Sequence, residues 1–268
     1  MFRRKSIVLA VLLSLSFFCH AQDDFQSALS VFQKGDFETA MKQLLPLANS
    51  GNASAQNVVG FMYFRGLGVD QDYNQAVKWY RKASDQGMAD SQTNLGLMYQ
   101  NGQGVKKNYT EAVKLFRKAA DQGYANGQYL LGLMYQNGQG VKQDYAAAVA
   151  LYQKASDQGL AFAQANLGFM YQKGQGVKQD SDEAFKWFSK ASEAGLPAAQ
   201  FLLAAMYDNG LGTRQDIVRA YAWYGLAAAG GVDAARARRE EIESGLKPEQ
   251  VQAGLKLARE FREKINKK

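Results

Sequence analysis

The sequence predicts an all-α fold, a right-handed α-solenoid of helix–turn–helix repeats with capping helices at both ends. The first observation behind this prediction is that one set of residues returns every 36 positions, a period typical of solenoids. The second is composition: the 268 residues include 3 prolines and 26 glycines, so most of the chain can be helical, with glycine between the helices. The third is a polar residue that can cap each second helix of the repeat.

Polar, apolar and glycine positions all carry the 36-residue period. The recurring residues are Gln56, Gln92, Gln128, Gln164 and Gln200; Met62, Met98, Met134, Met170 and Met206; Tyr63, Tyr99, Tyr135, Tyr171 and Tyr207; Gly66, Gly102, Gly138, Gly174 and Gly210; and Ala76, Ala112, Ala148, Ala184 and Ala220. They divide residues 52–231 into five repeats, 52–87, 88–123, 124–159, 160–195 and 196–231. Because one such unit cannot bury its apolar face alone, neighbouring repeats are expected to stack.

The third repeat illustrates the first of its two helices. This helix is predicted to cover about residues 125–136 and to direct Leu131 and Tyr135 inward. Gly132 lies beside this stripe, where a missing side chain lets a neighbouring helix approach closely. Gly138 is expected to end the helix in the left-handed conformation.

The second helix of each repeat is predicted to begin at an aligned capping residue. These residues, together with one in the preceding segment, are Asp36, Asp72, Asn108, Asp144, Asp180 and Asp216. The side chains three positions later complete predicted capping boxes in the pairs Asp72 with Gln75, Asn108 with Glu111 and Asp180 with Glu183. In the third repeat the predicted buried face consists of Ala148, Leu151, Tyr152 and Ala155.

The two ends of the array need caps, since stacking leaves one apolar face open at each terminus. Residues 22–51 are predicted to form a divergent helical pair, with a kink at Pro46 in its second helix. Residues 232–268 are predicted to form capping helices with a basic tail, the last helix beginning at Pro248. The apolar faces of the outermost helices consist of Phe25, Ala28, Leu29 and Phe32 at one end and Val251, Leu255, Ala258, Phe261 and Ile265 at the other.

The run from Leu95 to Val105, followed by Ala112 and by Lys118 to Ala120, resembles the Sel1-like repeat. This family is related to the tetratricopeptide repeat and has a longer, glycine-containing loop between its helices. The last copy departs from the pattern, with Ala204 in place of a helix glycine and Thr213 in place of the loop valine. The resemblance implies an exported bacterial scaffold with a role such as envelope assembly, regulation of signalling or host interaction.

The N-terminus has the features of a secretory signal peptide over residues 1–21. Basic residues precede an apolar run over residues 7–18, and cleavage is predicted between Ala21 and Gln22. The apolar run would rise only about 18 Å as a helix, against a hydrocarbon core of roughly 30 Å, so no stable membrane insertion is expected after cleavage. We therefore expect an exported protein, periplasmic in a Gram-negative-type envelope or secreted.

Cleavage would remove Cys19 and His20, the only cysteine and the only histidine of the chain. The mature chain would then lack disulfides, cysteine or histidine metal ligands and thiol- or histidine-based catalysis. Residues 22–235 hold 19 basic and 19 acidic side chains, and residues 236–268 hold ten and six. Since phosphate binding depends on clustered cations, we expect no nucleic-acid partner, and we also expect no cofactor, metal or enzyme activity.

The candidate binding residues lie on the first helix of each repeat, which faces the concave groove in the related tetratricopeptide arrangement. Carried over by register, they are Asn57, Phe61, Phe64, Arg65, Thr93, Leu97, Gln100, Asn101, Tyr129, Leu133, Gln136, Asn137, Phe169, Gln172, Lys173, Phe201, Asp208 and Asn209. Amide side chains can bond to the backbone of an extended ligand, and the aromatic rings offer apolar contacts. The row therefore predicts a non-catalytic scaffold that binds a protein or peptide.

Three alternatives stay open at the level of sequence. The apolar members of the row, such as Leu97, can instead pack between adjacent helices. The aromatic members can also stack on sugar rings, which would suit cell-wall glycan binding. Ser244 and Lys247 have the Ser-x-x-Lys spacing of penicillin-interacting hydrolases, although no partner motif accompanies them and Pro248 disfavours a continuous helix there. The partner's identity and the oligomeric state do not follow from the residues.

Overall fold

Helices follow one another along the whole described part of the chain. A computed structural model describes residues 22–267, and these contain fourteen helices and no strand. The helices are α1 (residues 22–33), α2 (Phe37–Asn49), α3 (Ala53–Arg65), α4 (Tyr73–Asp85), α5 (Ala89–Asn101), α6 (Tyr109–Asp121), α7 (Ala125–Asn137), α8 (Tyr145–Asp157), α9 (Ala161–Lys173), α10 (Ser181–Glu193), α11 (Pro197–Asn209), α12 (Ile217–Ala229), α13 (Asp233–Gly245) and α14 (Pro248–Asn266). The predicted all-α fold class is confirmed.

The helices form two compact units, divided between Gln122 and Gly123. In the first unit, α2 to α6 pack in chain order. In the second unit, α7 to α12 do the same, and α13 and α14 both pack against α12. We call α3, α5, α7, α9 and α11 the A helices, and α4, α6, α8, α10 and α12 the B helices.

Each B helix, and α2 as well, begins at its predicted cap. Backbone N–H groups of the first turn donate to the side-chain oxygens of Asp36, Asp72, Asn108, Asp144, Asp180 and Asp216. A capping box also needs a second bond, in which the side chain three positions later accepts from the backbone N–H of the cap residue. This part of the prediction is wrong for Glu111 and Glu183. Their carboxylates instead accept from Lys114 and Lys186, one turn further along the helix, at 2.6 Å.

Glycine has its two predicted roles in the third repeat. Gly138 ends α7 in the left-handed conformation, with a φ of 66°. Gly132 lies against the Tyr152 ring on α8, where an added Cβ would come within 2.7 Å of a ring carbon. On the same B helix, Tyr152 is buried as predicted. Leu151 and Tyr135 are half-buried rather than buried, and the phenol of a tyrosine favours a position where its hydroxyl has a polar partner.

The outermost helices bury their apolar faces against the repeats. In the first unit, Phe25 and Ala28 join one core with Leu44 on α2, and α2 continues through Pro46 to Asn49. In the second unit, four of the five predicted α14 residues pack on the core formed by α11 and α12, namely Val251, Leu255, Phe261 and Ile265. The Phe261 ring stacks on Trp223 with its centroid 4.4 Å away.

The predicted signal peptide and its Cys19, His20 and Ala21 lie outside the described residues. Within residues 22–267, none of the helices combines the length and apolar character needed to cross a membrane. The same residues contain no group of three or more His, Cys, Asp or Glu side chains that could hold a metal ion.

In the first three repeats, a buried glutamine of the A helix joins that helix to its B helix. The Nε2 atoms of Gln86, Gln122 and Gln158, at the ends of B helices, donate to the Oε1 atoms of Gln56, Gln92 and Gln128 at 2.7, 2.8 and 2.9 Å. The fourth repeat lacks this bond, because Ala194 occupies the corresponding position at the end of α10. The Oε1 atom of Gln164 is accordingly buried with no hydrogen-bond partner in the described part of the chain.

This comparison predicts opposite effects for two substitutions. We expect Gln158→Ala to lower the free energy of unfolding by about 1–3 kcal/mol, because it leaves a buried acceptor unpaired. We expect Ala194→Gln to raise it by up to about 1 kcal/mol, because it supplies the missing donor. Urea unfolding followed by circular dichroism measures both. Lys154→Ala, an exposed change on α8, is the control, and equal stability of all three variants would contradict the role of the glutamine pair.

Candidate partner-binding surface

In the first unit, the predicted row is divided between exposed and internally bonded side chains. Phe61 is exposed beside the edge of the Phe32 ring, and Phe64 packs on Tyr73 with a centroid separation of 5.5 Å. The Oδ1 atom of Asn57 accepts from the Ser91 hydroxyl at 2.8 Å, so this amide oxygen joins two A helices. Of the remaining members, Arg65 and Asn101 are exposed, and Leu97 and Gln100 are half-buried.

Thr93 is buried, which makes its assignment to the binding face wrong. Its hydroxyl donates to the carbonyl of Ala89 at 2.9 Å, within the same helix. A hydroxyl that bonds to the preceding turn of its own helix is satisfied without a ligand.

In the second unit, three A-helix aromatics rest on buried B-helix rings. The Tyr129 ring lies 5.9 Å from that of Tyr152, the Phe169 ring 5.3 Å from Phe188, and the Phe201 ring 5.6 Å from Tyr224. Burial raises the pKa of the Tyr129 phenol above that of an exposed tyrosine. These contacts fix the underside of each ring and leave part of Phe169 open to solvent.

Phe162 extends this aromatic row and was missed by sequence reasoning. It is 54% exposed, and its ring centroid lies 6.1 Å from that of Tyr129. The equivalent positions of the other repeats hold Ser54, Asp90, Asn126 and Ala198. An exposed phenylalanine where the other copies are small or polar is a deviation that the repeat register alone could have identified.

Amide side chains border the aromatic row in the second unit. The Oε1 atom of Gln136 accepts from the Tyr152 hydroxyl, and this bond occupies one of its polar atoms. Gln172 is half-buried, while Asn137, Lys173 and Asn209 are exposed at the ends of their helices. Leu133 is partly buried against the core formed by α8 and α9, so the packing alternative holds for this residue.

Asp208 does not belong to a binding face, because it is buried in an ion pair. It is 6% exposed, and its Oδ2 atom accepts from the Nε atom of Arg238 on α13 at 2.8 Å. Burial, together with the negative charge of Asp208, raises the pKa of Tyr224 to about 12. The carboxylate thus connects the last A helix to the first C-terminal helix.

Comparison with known families agrees with this architecture. The family model described as Sel1 repeat matches residues 53–88, 89–124, 125–160, 161–196 and 197–232. The chain belongs to the Sel1 repeat family. No curated protein matches it in sequence. Sel1 repeats typically mediate protein interactions, and proteins of the family are generally non-catalytic scaffolds.

Solved Sel1 structures resemble the chain over nearly its whole length. The protective antigen c5321 of uropathogenic Escherichia coli, described as displaying an SLR fold, is 35% identical with a TM-score of 0.79. The match covers 97% of this chain but only 56% of the antigen, so the chain spans little more than half of that protein. A Sel1 repeat protein from Oxalobacter formigenes is 33% identical, with a TM-score of 0.77 and coverages of 91% and 96%.

Ser244 and Lys247 are not presented on one helix in this Sel1 repeat protein. The Ser244 hydroxyl donates to the carbonyl of Glu241 at 2.7 Å in the last turn of α13. Lys247 is the N-cap of α14, and the backbone of Leu246 and Lys247 is extended, with ψ angles of 148° and 151°. The break between the helices removes the one-turn spacing that would place the lysine beside the serine.

The buried ion pair generates a prediction about the C-terminal end of the repeats. We expect Asp208→Asn to lower the free energy of unfolding by about 1–3 kcal/mol, because it removes the buried negative charge from the pair and leaves Arg238 with the exposed Glu241 as its carboxylate partner. The exposed pair of Asp233 with Arg236, 3.6 Å apart, provides the control. Asp233→Asn should change stability by less than about 0.5 kcal/mol. Guanidinium unfolding compares the two variants, and equal losses would show that burial of Asp208 has no energetic effect.

Proposed function

We propose that this Sel1 repeat protein is an exported, non-catalytic scaffold that binds a protein or peptide segment through its A helices. The observation that carries the proposal is the aromatic surface of the second unit, which consists of the exposed Phe162 and Phe169 and the half-buried Tyr129. Family membership supports a protein-interaction role in general. The aromatic surface indicates where on the molecule a partner would bind.

The geometry of α9 favours a continuous contact surface. Phe162 and Phe169 are seven residues apart, which places them on the same face of the helix two turns apart. They are 54% and 37% exposed, and Tyr129 on α7 lies beside Phe162. Large apolar side chains held open to water at such spacing are typical of interface anchors.

The support beneath these rings favours binding with little rearrangement. Phe169 meets the fully buried Phe188 edge to face, and Tyr129 rests on the fully buried Tyr152. A side chain whose rotamer is already restricted loses less conformational entropy when a partner covers it. The exposed amide of Asn137 and the cation of Lys173 lie at the ends of the same A helices and can bond to polar groups of a partner.

Catalysis has no comparable support among the described residues. The separation of Ser244 from Lys247 across a helix break gives no reason to propose a penicillin-interacting hydrolase. Glycan binding remains an outcome of the binding experiment, since an exposed ring such as Phe162 can also stack on a sugar.

The binding surface is tested by capture from an envelope extract, with matched variants of the mature protein. We expect Phe162→Ser combined with Phe169→Ser to lose the partner that the unaltered protein retains, because the two exposed anchors are gone. Leu211→Ser removes an equally exposed apolar side chain from the loop after α11 and should retain the partner. A photo-crosslinking residue at position 162, but not one at position 211, should become joined to that partner.

Equal capture by all of these variants would contradict the aromatic surface as the binding site. A parallel incubation with purified peptidoglycan separates the two ligand classes. Retention on peptidoglycan that depends on Phe162 and Phe169 would replace the protein partner with a glycan. Circular dichroism of each variant, measured first, establishes that helix content is unchanged.

Export is tested on the full chain expressed in a Gram-negative host. We expect periplasmic fractionation and a mature N-terminus at Gln22, because residues 1–21 have the charge and apolar pattern of a signal peptide. Intact-mass analysis of the purified protein measures the cleavage site. Replacing Arg3, Arg4 and Lys5 with glutamate should leave the protein unprocessed in the cytoplasm, and an uncleaved chain in the unaltered protein would contradict the assignment.

A further inference from the structure

A small cavity lies where the C-terminal helix packs on the last repeat. Its volume is about 130 Å³, and three helices of the second unit line it. Tyr221 and Gly225 come from α12, Arg239 comes from α13, and Arg259 and Arg262 come from α14. A cavity of this size is smaller than most sites for whole ligands, and it suits a single small ion or the end group of a larger molecule.

Gly225 makes room for this cavity on the B helix. The equivalent positions of the other B helices hold Arg81, Arg117, Gln153 and Ser189. A Cβ added to Gly225 would meet only Arg239, at 3.7 Å from Cδ and 3.8 Å from Nε, which is ordinary contact. Packing therefore does not require glycine here, although glycine inside a helix is less favourable than alanine by about 1 kcal/mol.

Arg239 is held in place but keeps one donor unused. One of its terminal nitrogens donates to the Tyr221 hydroxyl at 2.8 Å, and the same nitrogen lies 3.7 Å from the carboxylate of Glu243. Its Nε atom is buried and has no hydrogen-bond partner among the described residues. The contact distances of Gly225 place this Nε atom next to a residue that lines the cavity.

Positive charge exceeds negative charge around the cavity. Arg259 and Arg262 lie one turn apart on α14, and neither takes part in the ion pairs found within residues 22–267. Glu243 is the carboxylate in contact with this group, and it also accepts from the Tyr221 hydroxyl at 2.8 Å. Three arginines thus line the cavity, and one of them, Arg239, lies near a carboxylate. Guanidinium donors match the paired oxygens of phosphates and carboxylates.

We propose that this cavity is a binding site for an oxyanion, either a free phosphate or carboxylate ion or such a group on a larger ligand. The guanidinium groups of the exposed Arg259 and Arg262 donate to its oxygens, and the positive charge of Arg239, which is held by Tyr221 and Glu243, adds to the attraction. The absent side chain at Gly225 leaves the space that the anion occupies. The site is separate from the aromatic surface of the A helices and does not depend on the proposed function.

The test is calorimetric titration of the mature protein with inorganic phosphate and, separately, with acetate. Ionic strength is held constant, because screening by salt would otherwise mimic competition. We expect saturable binding of at least one of the two anions. Arg259→Gln and Arg262→Gln should each weaken it about tenfold, since each loses a charge-assisted hydrogen bond.

Two further variants locate the site. Gly225→Gln, which introduces the residue of the third repeat, should abolish binding by filling the cavity without removing a positive charge. Arg236→Gln removes the same charge from an exposed position on α13 outside the cavity and should bind like the unaltered protein. Absence of binding for both anions would overturn the proposal. Unchanged binding by Gly225→Gln, or an equal loss in Arg236→Gln, would overturn it as well.

Discussion

The first four repeats depend on the contact between a glycine of the A helix and an aromatic ring of its B helix. Gly60 faces Tyr80, Gly96 faces Phe116 and Gly168 faces Phe188, in the same way as Gly132 faces its ring in the third repeat. An added Cβ in these places would come within 2.5–2.8 Å of a ring carbon, closer than side chains pack. The ring can therefore lie directly on the helix backbone, and this fixes the separation of the two helices.

This contact also determines where aromatic side chains remain exposed. The ring that fills the gap at the glycine also contacts an aromatic side chain of the same A helix, as Tyr152 does with Tyr129 and Phe188 does with Phe169. The candidate surface is thus an outer layer on rings that the core already holds. Its apolar character follows from the packing of the repeat, and its extent follows from one additional residue, Phe162, that packing does not require.

The last repeat differs from the others at positions where the C-terminal helices replace a further repeat. Ala204 stands where the earlier A helices have the contact glycine, and Asp208 stands where the second to fourth have glutamine. Gly225 replaces a longer side chain. Two of these changes affect the packing of α13 and α14. Asp208 forms the ion pair with Arg238 on α13, and Gly225 leaves space for the cavity beside Arg239.

Sequence and tertiary structure determined different parts of this protein. The sequence by itself determined the helices, their caps and the left-handed glycines, because these depend on neighbours within a few residues and recur every 36 positions. The register of the 36-residue repeat also predicted that the candidate binding residues lie in a row along the A helices. It assigned Thr93 and Asp208 to that row incorrectly, because register assumes that equivalent positions have equivalent surroundings. Tertiary structure alone decided that Arg238 covers Asp208 and that three arginines meet beside Gly225, since these residues are brought together by helices outside the repeat pattern.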